Sequence, residues 1–245
     1  MKDWPIAVLD ILGFKSITEN YDIEDIHSAY KSSIDITLRA AQLFPKNNFI
    51  YNIYSDSIIV FPKDNKREDL LALIDICRLF LYGVFCTSVR TLPIFLPMRG
   101  AISIGEFIYT NDTITKRNIN ILAEYNTNIL IGKAIVDAYQ WEKKQKWIGI
   151  SLTEKAKYII ETDKSKNIDN LISDNILVKY NVPTEEGNIN SYAINSIDKT
   201  QINAVINSFS HMMEGHDDII KYKYQNTIDF IKYIDKNNLF YPKQP

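Results

Sequence analysis

The chain has 245 residues, 46% of them hydrophobic, and a formal net charge of −2, as expected for an ordinary globular protein. The near-neutral charge argues against nucleic acid or an anionic membrane surface as a partner, because both attract clustered cations. Two cysteines, Cys77 and Cys86, lie in one apolar stretch, which favours reduced thiols in the cytoplasm over a disulfide. Residues 70–89 are apolar enough to imitate a membrane span, but Asp75 and Arg78 interrupt them, so we expect a buried core helix and no membrane insertion.

Hydrophobic periodicity predicts alternating strands and helices through the first half of the chain. The apolar run at 4–10 has the length of a buried strand, whereas apolar residues after Asp22 recur at helical spacing. Residues 48–54 and 57–62 flank a tight turn and predict a hairpin. The next predicted elements are a helix over 67–90 and a strand over 98–109.

The second half of the chain continues this alternation and ends in helices. The polar segment 116–128 is predicted to be a loop with a short structured piece, and 181–188 an insertion between two strands. The predicted elements are helix 132–145, strand 147–151, helix 153–162, strands 176–181 and 190–195, and tail helices 199–210 and 217–236. The whole order predicts an α/β (α+β) fold with a ferredoxin-like βαββαβ core and extra strands over 1–197, and a helical C-terminal extension over 198–245.

Two aspartates stand where this topology brings strand ends together. Asp10 ends the first strand and Asp56 lies in the hairpin turn, so neighbouring strands place both carboxylates at one edge of the sheet. Paired carboxylates suit Mg²⁺ or Mn²⁺ carrying a triphosphate, with phosphate and water filling the remaining coordination positions. The turn Leu12-Gly13-Phe14 leads into a helix, and we expect its backbone N–H groups to bind phosphate oxygens. Taken singly, either aspartate is explained by ordinary turn chemistry.

Five short segments, in the same order, resemble the motifs of class III adenylate and guanylate cyclases. They are 8–14 for apolar-Asp-Ile-x-Gly-Phe, 55–56 for the Gly-Asp hairpin, 98–106 for Arg-x-Gly-x-x-x-Gly, 132–138 for Gly-x-x-Val-Asn-x-Ala, and 148–151 for the strand that follows. The resemblance covers residues 4–195. It implies a nucleotidyl cyclase catalytic domain over 1–197, which closes a nucleoside triphosphate into a 3′,5′-cyclic monophosphate.

The same resemblance implies roles for individual residues. Asp10 and Asp56 would hold two divalent ions, Mn²⁺ or Mg²⁺, with the Ile11 carbonyl as a further ligand. Arg99 falls at the family's triphosphate-binding arginine, and a planar guanidinium suits phosphate oxygens well. Lys179 falls near the family's second phosphate-binding lysine, although an exposed strand lysine explains it nearly as well. The implied catalytic residues are Asp10, Asp56 and Arg99.

The residues that bind a purine in class III cyclases are absent, whereas the metal and phosphate residues are kept. The family's transition-state asparagine and arginine correspond to Val136 and Gln140, and its adenine-binding lysine and acid to Asn52 and Ile129. Either the site is degenerate or it binds a different base. We favour a different base, because a decayed enzyme has little reason to retain both aspartates and Arg99 together.

Two segments are also similar to the bacterial pyrimidine cyclases of anti-phage defence (Pycsar), which are single-domain homodimers. These segments are Tyr54-Ser55-Asp56-Ser57-Ile58 and 131–139. The resemblance implies cyclic UMP or cyclic CMP as the product, and a separate effector that senses it. UTP is favoured over CTP, since the amide of Asn52, on the same strand face as Tyr54, can both donate and accept hydrogen bonds at a carbonyl-and-imide edge.

In the resembled family two subunits share each active site. Asp10, Asp56 and Arg99 would come from one subunit, and Asn52 and Lys179 from the other. A purine nucleotide cyclase and a non-catalytic nucleotide-binding module of the same fold remain open alternatives. A related palm-type domain, a diguanylate-cyclase or oligonucleotide-synthase relative, would share the two aspartates. The chain lacks the Gly-Gly-Asp/Glu-Glu-Phe hairpin, which argues against the first of these two.

Overall fold

The computed structural model describes residues 3–41, 49–64, 69–89, 94–118, 121–162, 166–214 and 217–241. The strands are β1 (Asp3–Ile11), β2 (Phe49–Tyr54), β3 (Ser57–Pro62), β4 (Met98–Glu106), β5 (Ile108–Asn118), β6 (Ile121–Ile131), β7 (Ile150–Leu152), β8 (Leu177–Thr184) and β9 (Gly187–Ile194). The helices are α1 (Phe14–Asn20), α2 (Ile23–Ala41), α3 (Asp69–Ser88), α4 (Lys133–Lys144), α5 (Glu154–Thr162), α6 (Lys166–Ser173), α7 (Ile202–Met212) and α8 (Asp218–Lys236).

Seven strands form one sheet in the order β2-β3-β1-β4-β7-β9-β8. The first four are antiparallel neighbours, with β1 between β3 and β4, which is the strand order of a ferredoxin-like βαββαβ unit. β7 joins β4 in parallel, and β9 and β8 extend the sheet beyond it. The predicted α/β core with additional strands is therefore confirmed.

β1 is buried on both faces because helices cover both sides of the sheet. Ile6 and Val8 belong to a cluster packed against α4, whereas Ala7 and Leu9 belong to the main core on the α3 side. Side chains alternate along a strand, so the side chain of Asp10 leaves β1 on the α4 side. This alternation decides which helix faces the carboxylate.

The register of β1 brings three strand ends together. Asp10 lies opposite Ser57 of β3 and opposite Arg99 of β4. The Ile11 N–H donates to the Asp56 carbonyl at 2.9 Å, which holds the hairpin turn against the end of β1. The two aspartates and Arg99 therefore share one end of the sheet.

The predicted loop over 116–128 is wrong. β5 and β6 pair antiparallel over eleven residue pairs and form a separate two-stranded sheet. The segment is polar because these strands pair with each other and not within the main sheet, so it lacks the apolar alternation that marks a half-buried strand. Polarity alone therefore gave a false indication of a loop.

Two other expected boundaries also shift. Residues 181–188, expected to be an insertion, lengthen β8 and β9, and the turn between these strands has Gly187 at a φ of 110°. The strand expected over 147–151 begins only at Ile150, because the Ile148 N–H donates to Thr227 of α8 and not to a neighbouring strand. The sequence pattern does not predict α6.

α3 is the core helix that the sequence predicts. By length and composition it is the one helix in the described segments that could cross a membrane. Its apolar residues pack inside the protein, and the Nε of Arg78 lies 3.0 Å from the Oδ1 of Asp75. The two charges that interrupt the apolar stretch thus pair with each other at the edge of the core.

The C-terminal helices pack against the sheet. Phe209 of α7 and Phe230 of α8 are fully buried in the same hydrophobic core as the strands, and Phe230 meets the ring of Trp147 edge-on at 4.9 Å. α8 begins where the Asp217 side chain accepts a hydrogen bond from the Ile220 N–H at 2.8 Å. The extension therefore has a fixed position relative to the end of β1.

Candidate active site

Arg99 is held in one orientation by three acceptors. Its Nη2 lies 3.4 Å from the Oδ2 of Asp10, its Nη1 donates to the Gln145 carbonyl at 3.0 Å, and its Nε donates to the carboxylate of Glu142. A guanidinium has five N–H donors, so one hydrogen on each Nη is left for an anion. The arrangement presents a fixed cation at the end of the sheet.

Glu142 is a site residue that the sequence analysis missed. Its side chain is 2% exposed, and burial raises its pKa to about 7, against the opposing influence of Arg99. Ala134 and Ala138 occupy the same helical face at four-residue spacing and are fully buried. An acid at the next position of this buried face, Glu142, is the signal that could have revealed it.

Asp10 and Asp56 interact electrostatically. Burial raises the pKa of Asp10, the nearby Arg99 lowers it, and the charge of Asp56 raises it again. No group of three or more His, Cys, Asp or Glu side chains is placed to hold a metal within the described part of the chain. Two neighbouring carboxylates nevertheless fit a hard divalent cation whose other ligands are phosphate and water.

Tyr30 of α2 stabilises the hairpin turn between β2 and β3. Its hydroxyl donates to the Ser55 carbonyl at 2.6 Å, and Ser55 itself has a positive φ of 55°. Burial and the charges of Asp56 and Asp10 raise the pKa of Tyr30, so it stays protonated as a donor. The sequence shows Tyr30 only as part of an apolar helical stripe.

The turn after β1 has fewer free donors than expected. The Leu12 N–H donates to the Pro97 carbonyl at 2.8 Å and is therefore engaged within the protein. Gly13 has a φ of 73°, which a glycine adopts without strain. The N–H groups of Gly13 and Phe14 are those that remain candidates for phosphate binding.

Asn52 and Tyr54 lie on β2, the edge strand next to β3. The side-chain nitrogen of Asn52 is buried and has no hydrogen-bond partner among the described residues. An unmet buried amide costs about 1–3 kcal/mol, so this nitrogen is a donor that an added acceptor would stabilise. Tyr54 is 50% exposed beside it in the same strand.

Lys179 does not join the other predicted site residues. It lies on β8, at the opposite edge of the sheet from β2, and β4, β7 and β9 separate its strand from β1. Its Nζ lies 3.8 Å from the Oε1 of Glu161. Within one subunit Lys179 is therefore remote from Asp10.

The positions of the missing family residues lie on exposed surfaces. Val136 and Gln140 are on the outer face of α4, and Ile129 is near the end of β6. None of the three side chains has a described contact with Asp10 or Arg99.

The sequence matches no known protein-family model and no curated protein. Solved structures of nucleotide cyclases are similar to it. A bacterial light-regulated adenylyl cyclase has 13% identity and a TM-score of 0.54, over 95% of this chain and 57% of that chain. The guanylate cyclase domain of RhGC from Catenaria anguillulae, in complex with GTP, has 11% identity and a TM-score of 0.48, over 80% of this chain and 98% of that domain. The adenylyl cyclase CyaB from P. aeruginosa has 14% identity and a TM-score of 0.46, over 81% of this chain and 96% of that chain.

The similarity to the light-regulated adenylyl cyclase shows that the chain has the mixed α/β fold of a class III cyclase catalytic domain. The chain spans 57% of that cyclase's length, and the two share 13% identity. Substrate and activity must therefore be argued from the residues of the site itself.

The raised pKa of Glu142 predicts a stability that falls as pH rises. Between its ordinary value of 4.5 and about 7, the folded protein keeps a proton that the unfolded chain has lost. The stabilisation from this proton is fully present below the pKa of Glu142 in the unfolded chain. It is lost as the pH rises through the pKa of Glu142 in the folded protein. We expect the free energy of unfolding to fall between pH 5 and pH 8 by on the order of 3 kcal/mol, since one pKa unit equals about 1.4 kcal/mol.

Urea unfolding of the metal-free protein across this range measures the effect. Glu142→Gln should give a clearly shallower pH dependence, although Asp10, whose pKa is also raised, still contributes in the same direction. An equal slope in Glu142→Gln and the original protein would show that Glu142 is ionised throughout.

Proposed function

We propose that this protein is a metal-dependent nucleotide cyclase. It converts a pyrimidine nucleoside triphosphate, UTP in preference to CTP, into the 3′,5′-cyclic monophosphate and pyrophosphate. The observation that carries the proposal is the cluster of Asp10, Asp56 and Arg99 at one end of a sheet with the cyclase fold. Phosphoryl transfer needs carboxylates for divalent ions and a cation for phosphate charge, and this cluster supplies both.

The reaction is an internal displacement at phosphorus. The ribose 3′-oxygen bonds to the α-phosphorus, the bond to the α–β bridging oxygen breaks, pyrophosphate leaves, and the 3′-hydroxyl proton is lost to water. Asp10 and Asp56, with the Ile11 carbonyl, would hold divalent ions, and these ions would lower the pKa of the 3′-hydroxyl and offset phosphate charge. Arg99, fixed by Glu142 and the Gln145 carbonyl, directs its remaining Nη hydrogens at phosphate oxygens.

The preference for a pyrimidine rests on β2. The buried, unpaired amide nitrogen of Asn52 is a donor in need of an acceptor, and the amide oxygen can accept from an imide. Uracil presents a carbonyl next to an imide N–H, which matches that pair. The exposed ring of Tyr54 offers an apolar surface for the same base.

The proposed assembly is a cytoplasmic homodimer with two shared sites. Lys179 is too far along the sheet to meet Asp10 of its own subunit, so a partner subunit would supply it together with Asn52. By resemblance to the Pycsar cyclases, the product would be a signal in bacterial antiviral defence, sensed by a separate effector protein.

A purine nucleotide cyclase and a non-catalytic nucleotide-binding module are the alternatives. Thermal shift with Mn²⁺ and each of the four ribonucleoside triphosphates separates a binding protein from a protein that binds none of them. Product analysis then separates a catalyst from a binding module, because only a catalyst releases pyrophosphate and a cyclic monophosphate.

We predict that purified protein with Mn²⁺ cyclises UTP fastest, CTP more slowly, and ATP and GTP least. Asn52→Lys should reduce the ratio of UTP to ATP turnover about tenfold or more, because a cation cannot accept the imide hydrogen. Chromatography of the cyclic products from equal mixtures of the four nucleotides measures the ratio. Faster turnover of ATP or GTP than of UTP and CTP would refute the pyrimidine assignment and leave a purine cyclase.

A further inference from the structure

Lys223 lies at the end of the sheet that carries the candidate active site, although it belongs to the C-terminal extension. Two contacts anchor α8 there. The Nδ2 of Asn226 donates to the Lys146 carbonyl at 2.7 Å, and the Oγ1 of Thr227 accepts from the Ile148 N–H at 2.8 Å. Lys223 stands one helical turn before Thr227 and is therefore fixed by these anchors.

The anchored segment follows directly from the end of α4 that holds Arg99. Gln145 accepts from the Nη1 of Arg99 through its backbone carbonyl, and its side-chain nitrogen donates to the Gly100 carbonyl at 2.7 Å. α8 is thus tied to the same stretch of chain that orients the arginine. The segment 145–148 therefore contacts both Arg99 and the helix that carries Lys223.

The ammonium group of Lys223 is close to the charged cluster but has no partner within it. Burial has the largest effect on Lys223 and lowers its pKa, and repulsion from Arg99 and Lys146 lowers it further. The negative charges of Asp10 and Glu142 raise it. No hydrogen bond or ion pair to the Lys223 side chain is found among the described residues. A structural counter-ion would contact one of these carboxylates, so the unpaired ammonium fits an absent anion better.

A cavity of about 670 Å³ gives that anion room. Lys223 lines it together with Leu12 and Gly13 of the turn after β1, and with Pro97 just before β4. Ser16 and the neighbouring residues of α1 form another part of the wall. The volume lies in the range of small-molecule sites, and the cavity begins at the turn that follows β1. His211 and Glu214 also line it, whereas Asp10, Asp56 and Arg99 do not.

We propose that Lys223 binds the triphosphate tail of the substrate, in the same subunit that provides Asp10 and Arg99; this inference rests on the proposed cyclase function. A half-buried lysine and a fixed arginine would then share the negative charge that moves onto the leaving pyrophosphate. The C-terminal extension is, in this arrangement, a part of the active site and not an appendage. Lys179 would be a second phosphate contact, from the partner subunit.

The test compares Lys223→Ala and Lys223→Arg with the original protein. Lys221→Ala is the matched control, because Lys221 lies on the same helix and pairs weakly with Asp218 at 3.9 Å. Calorimetry measures the binding of pyrophosphate, of UTP (as its 3′-deoxy analogue, which cannot cyclise) and of cyclic UMP in the presence of Mn²⁺. We expect Lys223→Ala to weaken pyrophosphate and UTP binding about 10- to 100-fold, with little change for cyclic UMP, because charged hydrogen bonds to the phosphate tail are lost.

The arginine variant should restore most of the pyrophosphate affinity, and Lys221→Ala should bind like the original protein. If Lys223→Ala does not fold, Lys223→Gln keeps a polar side chain, one atom shorter, without the charge. Equal pyrophosphate affinity with and without the Lys223 charge would overturn the inference, even in an active cyclase. If Lys223→Ala loses pyrophosphate binding but the original protein cyclises no nucleotide, the anion site is retained and the proposed reaction is refuted.

Discussion

Replacing Asp56 by asparagine is expected to lower the kcat for UTP cyclisation at least about a thousandfold, since a metal ligand supplies several kcal/mol of transition-state stabilisation. An amide is a poor ligand for Mg²⁺ or Mn²⁺, and the loss leaves Asp10 alone at the end of β1. Cyclic UMP formation at saturating Mn²⁺ and UTP measures the effect.

The same substitution should leave folding almost unchanged. The contact that holds the turn is the Ile11 N–H to the Asp56 carbonyl, which the asparagine retains, and Tyr30 still donates to the Ser55 carbonyl. Asparagine is as well suited to a turn as aspartate. We expect the melting temperature to change by no more than about 2 °C, since surface changes of this kind fall within about 0.5 kcal/mol.

Asp64→Asn is the matched control for this experiment. Asp64 is an exposed aspartate just after β3, at the other end of the same hairpin, and its replacement changes net charge equally. It should retain full activity. Full activity in Asp56→Asn would remove the metal assignment, and equal loss in both variants would point to a general charge effect.

The strand order and the shared sheet end could be predicted because they follow from local patterns. The apolar run before Asp10, the hairpin around Asp56 and the strand containing Arg99 each have a clear signature, and the βαββαβ topology then determines which strands are neighbours. Little side-chain detail is needed for that step. This is why Asp10 and Asp56, far apart in sequence, could be assigned to one place, whereas Arg99 was assigned through its resemblance to the family's arginine.

Residues that act through tertiary packing could not be found this way. Glu142 and Lys223 stand on amphipathic helices, where charged residues ordinarily face solvent. Their positions depend on how α4 and α8 meet the segment around Lys146 and Ile148, which no periodicity describes. Polar strands that pair with each other, β5 and β6, are hidden for a related reason, since their sequence lacks the apolar alternation of a half-buried strand.

A shared site predicts that two inactive variants can restore each other. Asp56 would act within its own subunit, whereas Lys179 lies at the far edge of the sheet and would act on the partner's substrate. Homodimers of Asp56→Asn and of Lys179→Ala should each be impaired at both sites. In the mixed dimer one site collects both changes and the other site collects neither.

Refolding the two variants together at equal amounts should therefore recover about one quarter of the original activity, because half of the dimers are mixed and each has one intact site. Mixing Asp56→Asn with Lys223→Ala is the decisive control, since Lys223 lies close enough to Arg99 of the same subunit for their charges to repel. In this mixed dimer each of the two sites carries one change, so no activity should return. Native mass spectrometry confirms that mixed dimers have formed. Recovery with Lys223→Ala but not with Lys179→Ala would reverse the two assignments and place the C-terminal extension in the partner's site.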